Sequence, residues 1–138
     1  MAARFFLDTN ILLDFLQQRE GFVADAKAVL ALAETKRATL VISALSVVNA
    51  HYSYCKSVTP QTARQNLERL CGLLEVVSLD SSLVLEGLAD RTFTDFEDRL
   101  QYQTAVTANC EVIVSRNQKD YKTARLPVLT PRELLASL

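Results

Sequence analysis

Short apolar runs rich in β-branched and aromatic residues alternate with longer stretches of helical period, and this alternation restricts the possible folds more than any other feature of the chain. The runs are Arg4–Leu7, Thr39–Ser43, Glu75–Leu79, Val112–Ser115 and the short Pro127–Leu129. Each is too short for a buried helix and reads as a strand. Between them, helices are predicted from Asn10 to Leu16, with Thr9 or Asn10 as the cap, and from about Phe22 to Lys36 after a break at Gly21. Further helices are predicted from Ala44 to Cys55 and after Thr59-Pro60, where Ala63, Leu67, Leu70, Cys71 and Leu74 mark one face. Two more are predicted, one capped by Asp80 and reaching about Leu88, the other opening at the capping spacings of Thr94 with Glu97 and Asp95 with Asp98 and reaching about Ala108. Thr130-Pro131-Arg132-Glu133 opens a terminal helix with an N-cap, an N1 proline and a capping-box acid. Strands alternating with helices imply a central, mostly parallel sheet covered on both faces, an α/β fold of three α/β/α layers. A chain of 138 residues is the length of one such domain, spanning 1–138.

Composition narrows the function classes. With 49% hydrophobic and 22% charged residues the chain is globular rather than disordered or fibrous. Only 3 glycines are present, so neither a Walker-type phosphate loop nor a dinucleotide fingerprint can be written. The 3 cysteines, Cys55, Cys71 and Cys110, are odd in number, lack metal-ligand spacing and lie in apolar segments, which suits a reducing compartment. Asp8 interrupts the chain too early for a leader peptide, and no apolar run nears the roughly 20 residues of a membrane span. A cytoplasmic protein with no membrane partner is expected.

In parallel sheets of this kind ligands bind beyond the carboxyl ends of the strands. Polar groups follow three of the predicted strands: Asp8 after the first, Ser43 and then Asn49 after the second, and Ser115-Arg116-Asn117 with Asp120 after the fourth. Asp95 and Asp98 open the helix that leads into the fourth strand and can face the same rim. Carboxylates gathered without paired cations repel one another unless something positive is bound. Oxygen ligands favour Mg²⁺ or Mn²⁺, and the lone His51 gives no support for zinc. Such a site suits hydrolysis of a phosphodiester by metal-activated water, without a covalent nucleophile.

Phe-Leu-Asp8-Thr-Asn10, Val-Ile-Ser43-Ala-Leu, Asp95-Phe-Glu-Asp98, Ile-Val-Ser115-Arg-Asn117-Gln-Lys-Asp120-Tyr and the closing Val-Leu-Thr-Pro resemble, in order and spacing, the signatures of PIN-domain ribonucleases. The resemblance covers nearly the whole chain. It implies an α/β/α domain and an endoribonuclease that uses Mg²⁺ or Mn²⁺ at about four acidic positions. It also implies the toxin of a toxin-antitoxin pair of the VapC type, with an RNA substrate, a small antitoxin as partner and a homodimer as assembly. Asp8 matches the first acidic position and Asp98 the third, and these two are the catalytic candidates. Thr9 or Asn10 matches the polar surroundings of the metal, and Ser115 the small hydroxyl residue before the last acidic position.

The chain departs from that pattern twice. Asn49 stands where the family usually has Glu, and Asn117 where it usually has Asp. An amide can offer a carbonyl oxygen to a metal but contributes no charge, so metal affinity is expected to fall. The candidate metal ligands are therefore Asp8 and Asp98 with Asp95, Asp120 and Asn117, and Asn10, Asn49 and Ser115 are candidates to support them. Asp95 also reads as a helix cap and Asp120 as a turn residue. The competing reading is a catalytically degenerate RNA- or protein-binding module, and a third is a phosphatase of small esters, disfavoured by the lack of Asp-x-Asp after the first strand.

The formal net charge of -1 conceals a segregation. Glu75 to Asp98 holds seven acids and one base, whereas Arg116 to Arg125 holds four bases and one acid. Arg116, Lys119 and Lys122 in that basic strip are the candidates for RNA phosphate contact.

Overall fold

The computed structural model describes residues 2–121 and 124–138. Among them, five strands form one sheet in the order β3-β2-β1-β4-β5: β1 (Ala3–Leu7), β2 (Ala38–Ser43), β3 (Glu75–Val77), β4 (Val112–Val114) and β5 (Val128–Leu129). All four neighbouring pairs are parallel, with Phe5 opposite both Leu40 and Val112. The chain lays strands outward from β1 on one side and then returns to its other side with β4. The switch point of the topology therefore lies between β1 and β4, where Asp8 and Ser115 leave the sheet.

Burial of the strands on both faces explains their near-continuous apolar sequences. Because side chains alternate, Phe5, Leu7, Leu40, Ile42 and Val114 fall in one core cluster, and Phe6, Val41 and Ile113 in the other. The first cluster is closed by α1 (Thr9–Leu16), α2 (Val23–Glu34), α3 (Ala44–Tyr54), α4 (Pro60–Cys71) and α7 (Pro131–Ala136), which contribute Ile11, Val29, Ala50, Leu67 and Leu134. On the opposite face lies α6 (Phe96–Thr107), with Ala105 in the second cluster and α5 (Ser81–Ala89) packed outside it.

The strand and helix order matches the sequence reading, with local corrections. The third strand ends at Val77, because Asp80 accepts from the backbone of Leu83 and begins α5. Asp8, rather than Thr9 or Asn10, caps α1: its Oδ1 accepts from the Thr9 N–H at 2.7 Å. Of the two capping spacings before α6, the structure uses Asp95, which accepts from the Asp98 N–H at 3.0 Å. A one-turn 3₁₀ helix, η1 (Gln118–Tyr121), occupies the loop after β4 and has no counterpart in the sequence reading. Thr130 and Glu133 form the full capping box at α7.

Candidate active site

Asp8 sits at the carboxyl end of β1, only 8% exposed, inside a shell of neutral donors. Its Oδ2 accepts from Ser115 Oγ at 2.8 Å, from Tyr121 Oη at 3.0 Å and, more distantly, from Asn10 Nδ2 at 3.4 Å. Asn10 Nδ2 also reaches Ser115 Oγ at 3.2 Å, and its Oδ1 accepts from the Arg116 N–H. Four groups from three segments thus hold one carboxylate at the switch point. None of these donors is a cation, so the negative charge is oriented but not neutralised.

The other acids come from α6 and η1. Asp95, Glu97 and Asp98 occupy the cap and first turn of α6, where the helix dipole favours negative charge. Asp98 is half-buried, and its carboxyl is pushed up to about 7, first by burial and then by the negative charges of Asp95, Asp120, Asp8 and Glu97. Glu97 is raised as well, by desolvation and by Asp95 and Asp8, although a 2.8 Å hydrogen bond from Asn49 Nδ2 works in the opposite sense. Tyr121 is pushed upward by burial and by Asp8, so it remains a neutral donor to that carboxylate.

Asp8, Asp95 and Asp120 all lie near enough to Asp98 for their charges to raise its carboxyl. Among the described residues none of these four, nor Glu97, joins an ion pair. No three His, Cys, Asp or Glu side chains among the described residues stand close enough together to form a finished metal cage. What the rim offers is a set of hard oxygen donors without a cationic partner among the described residues, a donor chemistry that fits Mg²⁺ or Mn²⁺. Asn117 lies exposed at this edge, its backbone N–H donating to Ser115 Oγ at 3.0 Å.

The basic strip divides. Arg116 was expected to face phosphate, but its guanidinium is taken by the buried Asp14, with Nε to Oδ2 at 2.6 Å and Nη2 to Oδ1 at 3.0 Å. It also lies 3.8 Å over the Phe22 ring. A bidentate pair plus a stacked ring commits Arg116 to joining the loop after β4 to α1. Lys119 is exposed on η1. Lys122 lies outside the described residues.

Sequence reasoning missed three participants. Glu97 was read only as a possible capping acid, although its place in the same helical turn as Asp98 put it within reach of the rim. Tyr121 follows Asp120 directly but carried no signal, since its role depends on η1 folding back over β1. Gln101 was hidden in a helical repeat; its polarity on the α6 face that also carries Leu100 and Ala105 was the available clue.

A parallel α/β/α sheet with a buried carboxylate at the switch point and further acids at the start of α6 defines an acid-rimmed α/β domain. A model of the PIN domain matches residues 4–119, and the chain belongs to the PIN domain family. It is similar to Ribonuclease VapC1 of Aquifex aeolicus (strain VF5), with 26% identity over 133 residues covering 93% of this chain and 90% of that protein. Among solved structures it superposes on FitAcB from Neisseria gonorrhoeae with a TM-score of 0.71 at 16% identity, covering 93% and 98% of the two chains. VapBC2 from Rickettsia felis, bound to a DNA fragment from its promoter, gives a TM-score of 0.69 at 20% identity, covering 92% and 98%. These two structural likenesses show the fold.

Proposed function

We propose that this protein is a Mg²⁺- or Mn²⁺-dependent endoribonuclease that hydrolyses RNA phosphodiester bonds and acts as the toxin of a toxin-antitoxin pair in the cytoplasm. The observation that carries the reading is the buried, neutrally caged Asp8 at the sheet's switch point, close enough to the acids of α6 to raise Asp98. The similarity to a ribonuclease, and to a chain solved as a VapBC assembly, supports the same conclusion.

Asp8 and Asp98 would hold the metal, with Asp95, Glu97, Asp120 or the carbonyl oxygen of Asn117 completing the oxygen set. The ion, when bound, supplies the Lewis acidity that activates water and stabilises charge developing on the phosphate oxygens. Ser115, Tyr121 and Asn10 would hold Asp8 in place through its Oδ2. Asn49 holds Glu97 through its amide. Lys119, exposed on η1 next to Asp120, would meet an RNA phosphate.

A partner protein would dock on exposed apolar side chains. Val48 and Tyr52 on α3 are 66% and 72% exposed, and Leu85 and Leu88 on α5 are 64% and 53% exposed. Apolar side chains this open suit a homodimer contact or an antitoxin segment. No helix among the described residues is long and apolar enough to cross a membrane.

The reading is tested by incubating purified protein with structured RNA and Mn²⁺ beside Asp8→Asn and Asp98→Asn variants. Cleavage by the wild type alone is the expected result. Equal cleavage by all three removes the metal-nuclease assignment. RNA binding without cleavage points instead to a degenerate module, and hydrolysis of small esters alone to a phosphatase.

A further inference from the structure

Gln101 is 1% exposed in the middle of α6, a position where an apolar side chain would bury more cheaply. Its amide is fully used. Oε1 accepts from Ser43 Oγ at 2.7 Å, and Nε2 donates to Ser46 Oγ at 2.8 Å and to Thr9 Oγ1 at 3.3 Å. Thr9 and Ser46 are themselves joined at 2.8 Å, and Ser43 Oγ caps α3 through the Ser46 N–H at 3.1 Å. Among the described residues no buried side-chain polar atom is left without a partner, so this is a closed network.

The positions of its members give the network a direction. Gln101 follows Glu97 by four residues and Asp98 by three, so all three lie on one side of α6. Thr9 follows Asp8 directly and donates its backbone N–H to that carboxylate. Ser46 precedes Asn49 by three residues on α3, and Asn49 in turn holds Glu97. Helices α3 and α6 are thus tied by two rungs, Ser46 to Gln101 inside and Asn49 to Glu97 at the rim. The inner rung alone extends to the residue beside Asp8.

We propose that Gln101 is a positioning residue that sets the separation between the α6 carboxylates and Asp8, and so tunes the affinity of the rim for a divalent cation. The inference rests on reading that rim as a metal-holding site. A side chain that only filled space would not need one amide to satisfy hydroxyls from the starts of two other helices. Removing the amide frees α6 to move relative to β1, and acids that repel one another will use that freedom to separate.

The test is Mn²⁺ binding to the intact protein, measured by calorimetry and by the Mn²⁺ paramagnetic resonance signal, with no RNA present. Gln101→Met keeps the bulk and loses the hydrogen bonds, and we expect it to weaken Mn²⁺ binding by about tenfold, the effect typical of groups that support metal ligands. Leu67→Ala, in the core behind the opposite face of the sheet, is the matched control: it lowers the melting temperature and should leave Mn²⁺ affinity within about twofold of wild type. Unchanged affinity in Gln101→Met, or an equal loss in Leu67→Ala, overturns the proposal. Should Gln101→Met fail to fold, Ser46→Ala removes one partner of the amide and is expected to weaken binding about threefold; no change there overturns the proposal as well. A wild type that binds no Mn²⁺ is a separate result, which removes the metal reading itself and this inference with it.

Discussion

Ser115 Oγ donates to Asp8 Oδ2 across 2.8 Å, joining the carboxyl ends of β1 and β4 at the point where the sheet reverses its growth. The serine is fully buried, and while its oxygen accepts from Asn10 Nδ2 and the Asn117 N–H, its one hydroxyl hydrogen goes to that carboxylate. Ser115→Ala should lower metal affinity and RNA cleavage by about 10- to 100-fold while the fold persists. Ser115→Thr should retain most of both. Mn²⁺ titration of the two variants beside wild type checks the pair.

Burial of Asp98, with the crowding of acids around it, makes stability depend on pH in an unusual direction. The Asp98 carboxyl rises from the ordinary value of 3.8 to about 7, so between those values the folded state binds a proton that the unfolded state has released. Stability of the metal-free protein should therefore fall as pH rises from about 4 through about 7. Asp98→Asn should flatten that dependence and raise the melting temperature near pH 7.5 by about 3 °C. Thermal melts across this pH range, in the presence of a chelator, measure it; a stability that climbs through the same window contradicts a raised Asp98 carboxyl.

Glu97 stands at the rim with Asn49 as its tether. If it supplies an oxygen to the metal, Glu97→Gln should reduce Mn²⁺ affinity by about tenfold, and Asn49→Ala should reproduce part of that loss. A neutral effect of both variants would assign the pair to helix contact alone. Calorimetry on the isolated variants distinguishes the two.

Asp14 is 1% exposed and depends on Arg116, with Arg19 reaching it only at 3.5 Å. Truncation of Arg116 leaves a buried carboxylate poorly paired, and Arg116→Ala should destabilise the fold by about 3 kcal/mol. Arg116→Lys should recover little, since an ammonium cannot reproduce the bidentate fork or the contact with Phe22. Denaturant unfolding gives the values. RNA binding by Arg116→Lys should stay close to wild type, because this side chain serves Asp14 rather than phosphate.

Much of the architecture was legible because its signals are local. Strand runs buried on both faces read as continuous apolar segments, and Thr59-Pro60 and Thr130-Pro131 announced their helices through groups only three residues apart. Where two local solutions competed, sequence could not choose: Thr94 and Asp95 both offered a cap, and Asp8 was passed over because Thr9 and Asn10 also fit. The short η1 helix carried no periodicity at all.

By itself the sequence determined the alternating elements, the parallel sheet they require and the strand ends where acids and hydroxyls accumulate, since each depends on residue spacing along the chain. Tertiary structure decided which of those groups meet. It gave Asp8 to Ser115 and Tyr121, more than a hundred residues away, and drew Arg116 from solvent to Asp14. It also brought Glu97 to Asn49 and tied Gln101 to three hydroxyls on two other helices and a strand end. Charge and hydrogen bonding act through space over a few ångströms, so the partners of a buried carboxylate are fixed only when the sheet closes its register and the helices dock against it.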